Sequence, residues 1–117
     1  MMRISWSAIA LATTIATVAM AMPVQAGHGA IATSDAGNYG LSWDYSTLEE
    51  AASAAQRACG NDCIVREVYE NTCAAIAKAN TRVGWGFAPN QEKAEGIALG
   101  TCGPETCKVV AARCSLD

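Results

Sequence analysis

The sequence is short of the groups from which most active sites are built. It contains one histidine, His28, one phenylalanine, Phe87, and eight lysines and arginines against eleven acids. The basic residues beyond Arg3 (Arg57, Arg66, Lys78, Arg82, Lys93, Lys108 and Arg113) are scattered along the chain. Nucleic acids and anionic membranes are held by clustered Lys and Arg, so neither is an expected partner. No EF-hand spacing occurs, and Gly84-Trp85-Gly86 lacks the further glycine and helix of a phosphate loop. Cys-x-x-Cys pairs are also missing, which with a single histidine argues against a zinc site. No cofactor or metal is expected.

Charge is absent from Ile4 to Met22, a run preceded by Arg3 and ended by Pro23. Val24-Gln25-Ala26 then offers small or permissive residues where a signal peptidase reads. Residues 1–26 therefore read as a secretory signal, with cleavage expected after Ala26. An uncleaved anchor is the competing reading, since about nineteen apolar residues nearly span a bilayer. The run is rich in Ala and Thr rather than Leu and ends in a cleavage site, which favours removal. Cysteine is missing at the cut, so a lipid anchor is not expected. Removal leaves seven basic residues and a net charge of about −4 on a single domain, residues 27–117. The expected location is secreted or periplasmic, with no stable membrane association.

All six cysteines follow the leader: Cys59, Cys63, Cys73, Cys102, Cys107 and Cys114. An even number in a short exported chain is the mark of a disulfide framework. A domain of this size buries only about 60–65% of its unfolded surface. Many of its apolar residues are alanines, which thins the core further. Covalent staples offset that deficit by restricting the unfolded chain.

The mature part repeats itself with a period of roughly 43 residues. Ala30-Ile31-Ala32 recurs as Ala75-Ile76-Ala77, and Leu41-Ser42-Trp43-Asp44-Tyr45 aligns with Val83-Gly84-Trp85-Gly86-Phe87. Thr47, Ala51 and Ala55 match Asn90, Ala94 and Ala98, while Cys59-Gly60 and Cys63 match Cys102-Gly103 and Cys107. The halves run from about 28 to 70 and from 72 to 117.

Each half has the same local reading. Residues 29–34 form a short apolar strand, and Asp35-Ala36-Gly37-Asn38 has turn chemistry. Leu41, Trp43 and Tyr45 then alternate with Gly40, Ser42 and Asp44, the period of a half-buried strand. Thr47-Leu48-Glu49-Glu50 is a capping box, with Glu50 expected to reach back. Leu48, Ala51, Ala52, Ala55 and Ala58 follow on one helical face, ended by Cys59-Gly60. Residues 64–70 alternate again as a strand. In the second half, strand 73–79 leads to Val83, Trp85 and Phe87, then to a helix from Asn90 through Leu99 and a last strand at 108–113. Gly96 and Gly100 fall inside that helix, where they are read as points of close packing against the sheet. The fold class is α+β: a duplicated strand-strand-helix-strand unit, an antiparallel sheet with two helices on one face, stabilised by disulfides.

Six cysteines admit many pairings. The duplication suggests equivalent clips, Cys59–Cys63 and Cys102–Cys107, with Cys73–Cys114 tying the first strand of the second half to its last. The Gly29-Ala30-Ile31-Ala32 strand, Trp43-x-Tyr45 before a capped Ala-rich helix, the Cys59-x₃-Cys63 turn and Cys73-Ala74-Ala75-Ile76-Ala77 resemble domain-of-unknown-function family 4189. Trp85-Gly86, Cys102 and Cys114 extend the resemblance over essentially all of the mature chain. The family comprises small exported bacterial proteins, mycobacterial ones included. The resemblance implies a secreted effector acting on host cells, with no settled activity. Relatives often carry an aromatic residue just before this Gly-Ala-Ile-Ala strand, where this sequence has His28.

Candidate chemistry is sparse. His28 lies just past the expected cut, in what should be a mobile terminus, so a nucleophile–His mechanism would hang on a frayed end. Glu49 with Glu50, and Glu92 with Glu95, are placed at helix N-termini, where negative charge favours the helix dipole. Glu67 with Glu70 is the remaining carboxylate pair. Trp43, Tyr45, Trp85 and Phe87 are read as equivalent strand positions, either core or a shared binding surface. Gly84 and Gly86 leave one strand face bare for a close approach. The expected function is non-enzymatic binding or effector activity through a protein partner. An envelope inhibitor of a hydrolase, such as a cell-wall lytic enzyme, is the alternative, presenting Asn61-Asp62 or Gly103-Pro104-Glu105-Thr106. A small carboxylate-dependent hydrolase is the third reading.

Overall fold

The computed structural model describes residues 27–116, so the leader read over residues 1–26 lies outside the described residues. The chain runs β1 (His28–Thr33), β2 (Tyr39–Tyr45), α1 (Leu48–Cys59), β3 (Ile64–Glu70), β4 (Thr72–Ala79), β5 (Arg82–Ala88), α2 (Gln91–Cys102) and β6 (Lys108–Ser115). Strand-strand-helix-strand therefore occurs twice. The α+β class and the repeated unit are as the sequence indicates, but the strands make two sheets. Each half closes its own antiparallel sheet, in the orders β2-β1-β3 and β5-β4-β6.

Alternation along β1 and β4 explains the layering. Ala30 and Ala32 pack on Ala51 and Ala55 of α1. Ala75 and Ala77 pack on Ala94, Ala98 and Cys102 of α2. The residues between them, Ile31, Ala74 and Ile76, meet with Tyr69 in a third cluster between the sheets. The helices thus cover the two outer faces of a stacked pair of sheets, rather than one face of a single sheet. Ile31 and Ile76 are fully buried at the centre, each contributing about 1.5–3 kcal/mol by removal from water.

The helices start and stop on local chemistry. Thr47 Oγ1 accepts from Glu50 N at 3.1 Å, and Asn90 Oδ1 accepts from Lys93 N at 2.8 Å. Glu50 does not reach back to the Thr47 backbone; its carboxylate accepts from the Ser46 hydroxyl at 2.9 Å. Gly60 and Gly103 end the helices at φ 122° and 107°, their N–H groups donating to Gln56 O and Leu99 O. Two details of the helices differ from expectation. Helix α2 runs to Cys102, a turn beyond Leu99, and Gly96 and Gly100 have open space where a side chain would stand. They face solvent and make no close packing. On α1 only Ala51 and Ala55 are buried, while Leu48 and Ala58 are exposed.

The close approaches belong to the strand glycines. A Cβ on Gly40 would collide with Ala55 O and come within 2.7 Å of Cys59 N. One on Gly84 would collide with Cys102 N and lie 2.7 Å from Ala98 O. What approaches the bare face of β5 is therefore its own helix. These contacts also fix the correspondence of the halves. Gly40 pairs with Ala32 as Gly84 pairs with Ala77, and Leu41 pairs with Ile31 as Trp85 pairs with Ile76. Position for position, Trp43 matches Phe87 and Leu41 matches Trp85, so the two tryptophans are not equivalent.

Tyr45 departs from the expected face. The β1–β2 register shifts between His28 and Ala30, and Asp44 takes a left-handed φ of 63°. This bulge turns the next residue over, so Tyr45 packs with the Ala30–Ala51 cluster against α1. Strand β5 has no such irregularity.

Candidate functional site

Three disulfides join Cys59 to Cys63, Cys73 to Cys114 and Cys102 to Cys107. The two short bridges clip each helix end to the strand after it, and the long one crosses the β4–β6 pair. Bridges of this number belong to an oxidising, extracytoplasmic environment. Among the described residues no helix is long and apolar enough to cross a membrane. Among the same residues no group of three His, Cys, Asp or Glu side chains is placed to hold a metal ion.

The carboxylates do not converge. Glu49 and Glu50 lie in the first turn of α1, and Glu92 in that of α2. Glu95, one turn on, accepts from Gln91 Nε2 at 3.1 Å. On β3, Glu67 stands opposite Ile31 and faces the second sheet, while Glu70 stands opposite His28 on the other face. They cannot act on one bond from there. His28 is not on a frayed end. It opens β1 between Tyr45 and Glu70, with Nδ1 buried and 3.5 Å from a Glu70 carboxylate oxygen.

The aromatic residues divide between two edges. At β2, Trp43 is 38% exposed. The Arg113 guanidinium lies over its ring at 4.7 Å, with the cation drawn to the electron-rich face. At β5, Trp85 and Phe87 turn between the sheets, and Phe87 meets Tyr69 with ring centroids 5.4 Å apart. Tyr69 lies across Gly29, where a Cβ would strike its ring, and donates to Ser42 O at 2.8 Å. Burial, then the Asp44 carboxylate, hold its phenol far above the ordinary tyrosine range, against a smaller lowering by Arg113.

Beside the free edge of β5 runs an open groove of about 560 Å³. Val83, Trp85 and Phe87 form its floor, Ile97 and Thr101 of α2 one wall, and Glu67 of β3 the other. Ile97 is 45% exposed: its Cβ and Cγ2 lie over Gly86, where a Cβ would come within 2.6 Å of them, and the rest of the side chain stands at the groove wall. The β2 edge has a smaller counterpart of about 390 Å³, with Leu41 and Trp43 beside Ala58, Val110 and Arg113. The larger groove is thus apolar with one acid; the smaller carries a cation. Trp85 and Phe87 are legible in the sequence as binding candidates and Glu67 only as a carboxylate paired with Glu70, whereas Ile97 and Thr101 are not legible as candidates. An isoleucine off the alanine stripe of α2 was the available signal for Ile97.

Two stacked sheets, each with its own helix and clip, define a duplicated, disulfide-stabilised α+β domain that offers edge grooves and no converging catalytic groups among the described residues. The chain belongs to the family of the domain of unknown function DUF4189, whose model matches residues 28–114. Protein Rv1269c of Mycobacterium tuberculosis and Protein Mb1300c of Mycobacterium bovis are each 37% identical to it over 73 residues, 62% of this chain. The match spans 58% of the length of each of those relatives. The NMR structure of Rv1813c from Mycobacterium tuberculosis superposes with a TM-score of 0.61 at 21% identity, covering 97% of this chain and 96% of that one. That likeness concerns the fold.

Proposed function

We propose that the protein is a secreted recognition module that acts by binding a protein partner in the groove beside β5, and that it performs no catalysis. The observation that carries this reading is the groove itself. Trp85, Phe87, Val83 and Ile97 give it an apolar lining open to solvent, on a frame that three disulfides hold. Buried aromatic anchors in such clefts dominate protein recognition. The charge-free run from Ile4 to Met22 supports export, with the mature chain starting at Gly27.

A photo-crosslinker placed at Ile97 tests the reading, with the same group at Ser53 of α1 as control. Cells or fluids that meet the exported protein should yield a discrete protein adduct from position 97 and none from 53. Trp85→Ala should abolish that adduct while the three bridges, checked by intact mass, stay formed. Adducts that are equal at both positions, or indifferent to Trp85→Ala, would overturn it.

A further inference from the structure

We propose that the partner binds by strand addition: an extended segment with alternating apolar residues pairs with the free edge of β5 and sets a lysine or arginine against Glu67. This deepens the reading above and rests on the groove beside β5 being the binding site. Among the described residues four strands lie at sheet edges: β2, β3, β5 and β6. An exposed edge is a template for another strand, and proteins blunt such edges with bulges and charges.

Three of the four edges are blunted in this way. β2 carries the Asp44 bulge, whose N–H is already taken by Ser115 Oγ at 2.8 Å. β3 skips a residue at Arg66 in its pairing and bears Arg66, Glu67 and Glu70. β6 skips one at Val110 and bears Lys108 and Arg113. β5 has neither device. Its seven residues pair with β4 in unbroken register, and no charge follows Arg82.

The edge is also correctly armed. The two-residue turn between Ala79 and Arg82 makes those residues a hydrogen-bonded pair. Alternation along an antiparallel ladder then turns the N–H and C=O groups of Val83, Trp85 and Phe87 away from β4. The Thr101 hydroxyl confirms the direction, reaching Trp85 O at 3.0 Å from outside the sheet. That hydroxyl has one proton and a second carbonyl in range, Ala98 O at 3.1 Å. An arriving strand can take Trp85 O while Thr101 turns to Ala98 O, so no polar group is stranded.

Charge selects the occupant. Glu67 lines the groove, and among the described residues no basic side chain does. Arg82, at the start of β5, is engaged with Cys102 O at 2.9 Å. A second copy of β5 carries its one cation, Arg82, at its first residue, already donating to Cys102 O, whereas a segment with lysine or arginine in mid-strand sets a cation against Glu67.

The test uses the full oxidised protein and a set of capped hexapeptides. One has the order threonine-valine-lysine-valine-threonine-valine, a second replaces lysine by norleucine, and a third and fourth are N-methylated on one or the other set of alternate amides. The lysine peptide at millimolar concentration should slow hydrogen exchange at the amides of Val83, Trp85 and Phe87. N-methylation of the set that faces β5 should weaken binding by about fivefold for each backbone bond lost, and that of the other set should not. Glu67→Gln should bring the lysine peptide to the affinity of the norleucine one, about two- to fivefold weaker. Binding that is left unchanged by N-methylation of the one set and also of the other would overturn strand addition and leave the groove reading intact. Failure of every peptide to protect these amides would overturn it too, with the Ile97 crosslink judging the groove separately. Protection that appears without peptide and grows with protein concentration would assign the edge to a second copy, overturning the proposal.

Discussion

The two halves keep one contact in common and differ at their rims. In both, an alanine stripe sets a helix on a sheet, and a glycine, Gly40 or Gly84, admits the helix backbone at the same place. At the rim, β2 is bulged at Asp44 and covered at Trp43 by Arg113, while β5 runs straight and open. A duplicated unit is free to diverge where packing does not constrain it. Here the constraint lies along the helix–sheet seam, and the freedom lies at the strand edges.

The largest effect should come from the one bridge without a counterpart in the first half. Replacing both Cys73 and Cys114 by serine opens a link between residues 41 apart in sequence, at a cost of about 4 kcal/mol in loop entropy. Replacing Cys59 with Cys63, or Cys102 with Cys107, opens separations of 4 and 5 residues and should cost about 2 kcal/mol each. Urea unfolding of the three double variants measures all three. Equal losses from the two short clips would affirm the equivalence of the halves, and unequal ones would break it.

Tyr69 sharpens the comparison next. It occupies on β3 the place of Arg113 on β6, each paired one residue ahead of the central Ala30 or Ala75. Tyr69→Phe removes the bond to Ser42 O and should cost about 1–2 kcal/mol. The phenol is held neutral in the folded state, so its contribution is complete below about pH 10, where the unfolded tyrosine titrates. Above that pH the unfolded chain loses the proton while the folded one keeps it, and stability falls as pH rises. The wild type should show this alkaline decline in a thermal melt series, and Tyr69→Phe should flatten it.

The smallest effect concerns the helices. Gly96 and Gly100 stand in open space on α2, where the aligned positions of α1 are Ser53 and Arg57. Gly96→Ala and Gly100→Ala should each stabilise the fold by about 0.5–1 kcal/mol, read as an increased urea midpoint. No gain would mean that these glycines are held by something besides the helix.

Much of this was legible from residues alone, because the signals were local. Thr47 and Asn90 announce helix starts through side chains that bond a backbone three residues on, and Cys59-Gly60 and Cys102-Gly103 announce the stops. Alternation along β1 and β4 reveals two faces for each strand. It does not reveal which strands share a sheet, since that depends on pairings made across the whole chain; hence two sheets where one was expected. Trp43 and Trp85 share a residue type but not a strand position. Gly40 and Gly84 carried the true register, because a clash with helix backbone is less forgiving than a change of aromatic. The groove was half legible: Trp85 and Phe87 stood out, but Glu67 arrives from a different sheet.

The alanine seams have a further consequence. Alanine has no side-chain torsion, so the alanine positions of each helix–sheet layer have no rotamers to exchange. A seam of leucines would let a helix shift by trading one set of side-chain angles for another. An alanine seam withholds that route, so the helix backbone that carries the groove wall is set before anything arrives. Whatever ordering cost accompanies binding at the β5 edge then falls on the incoming segment rather than on this protein.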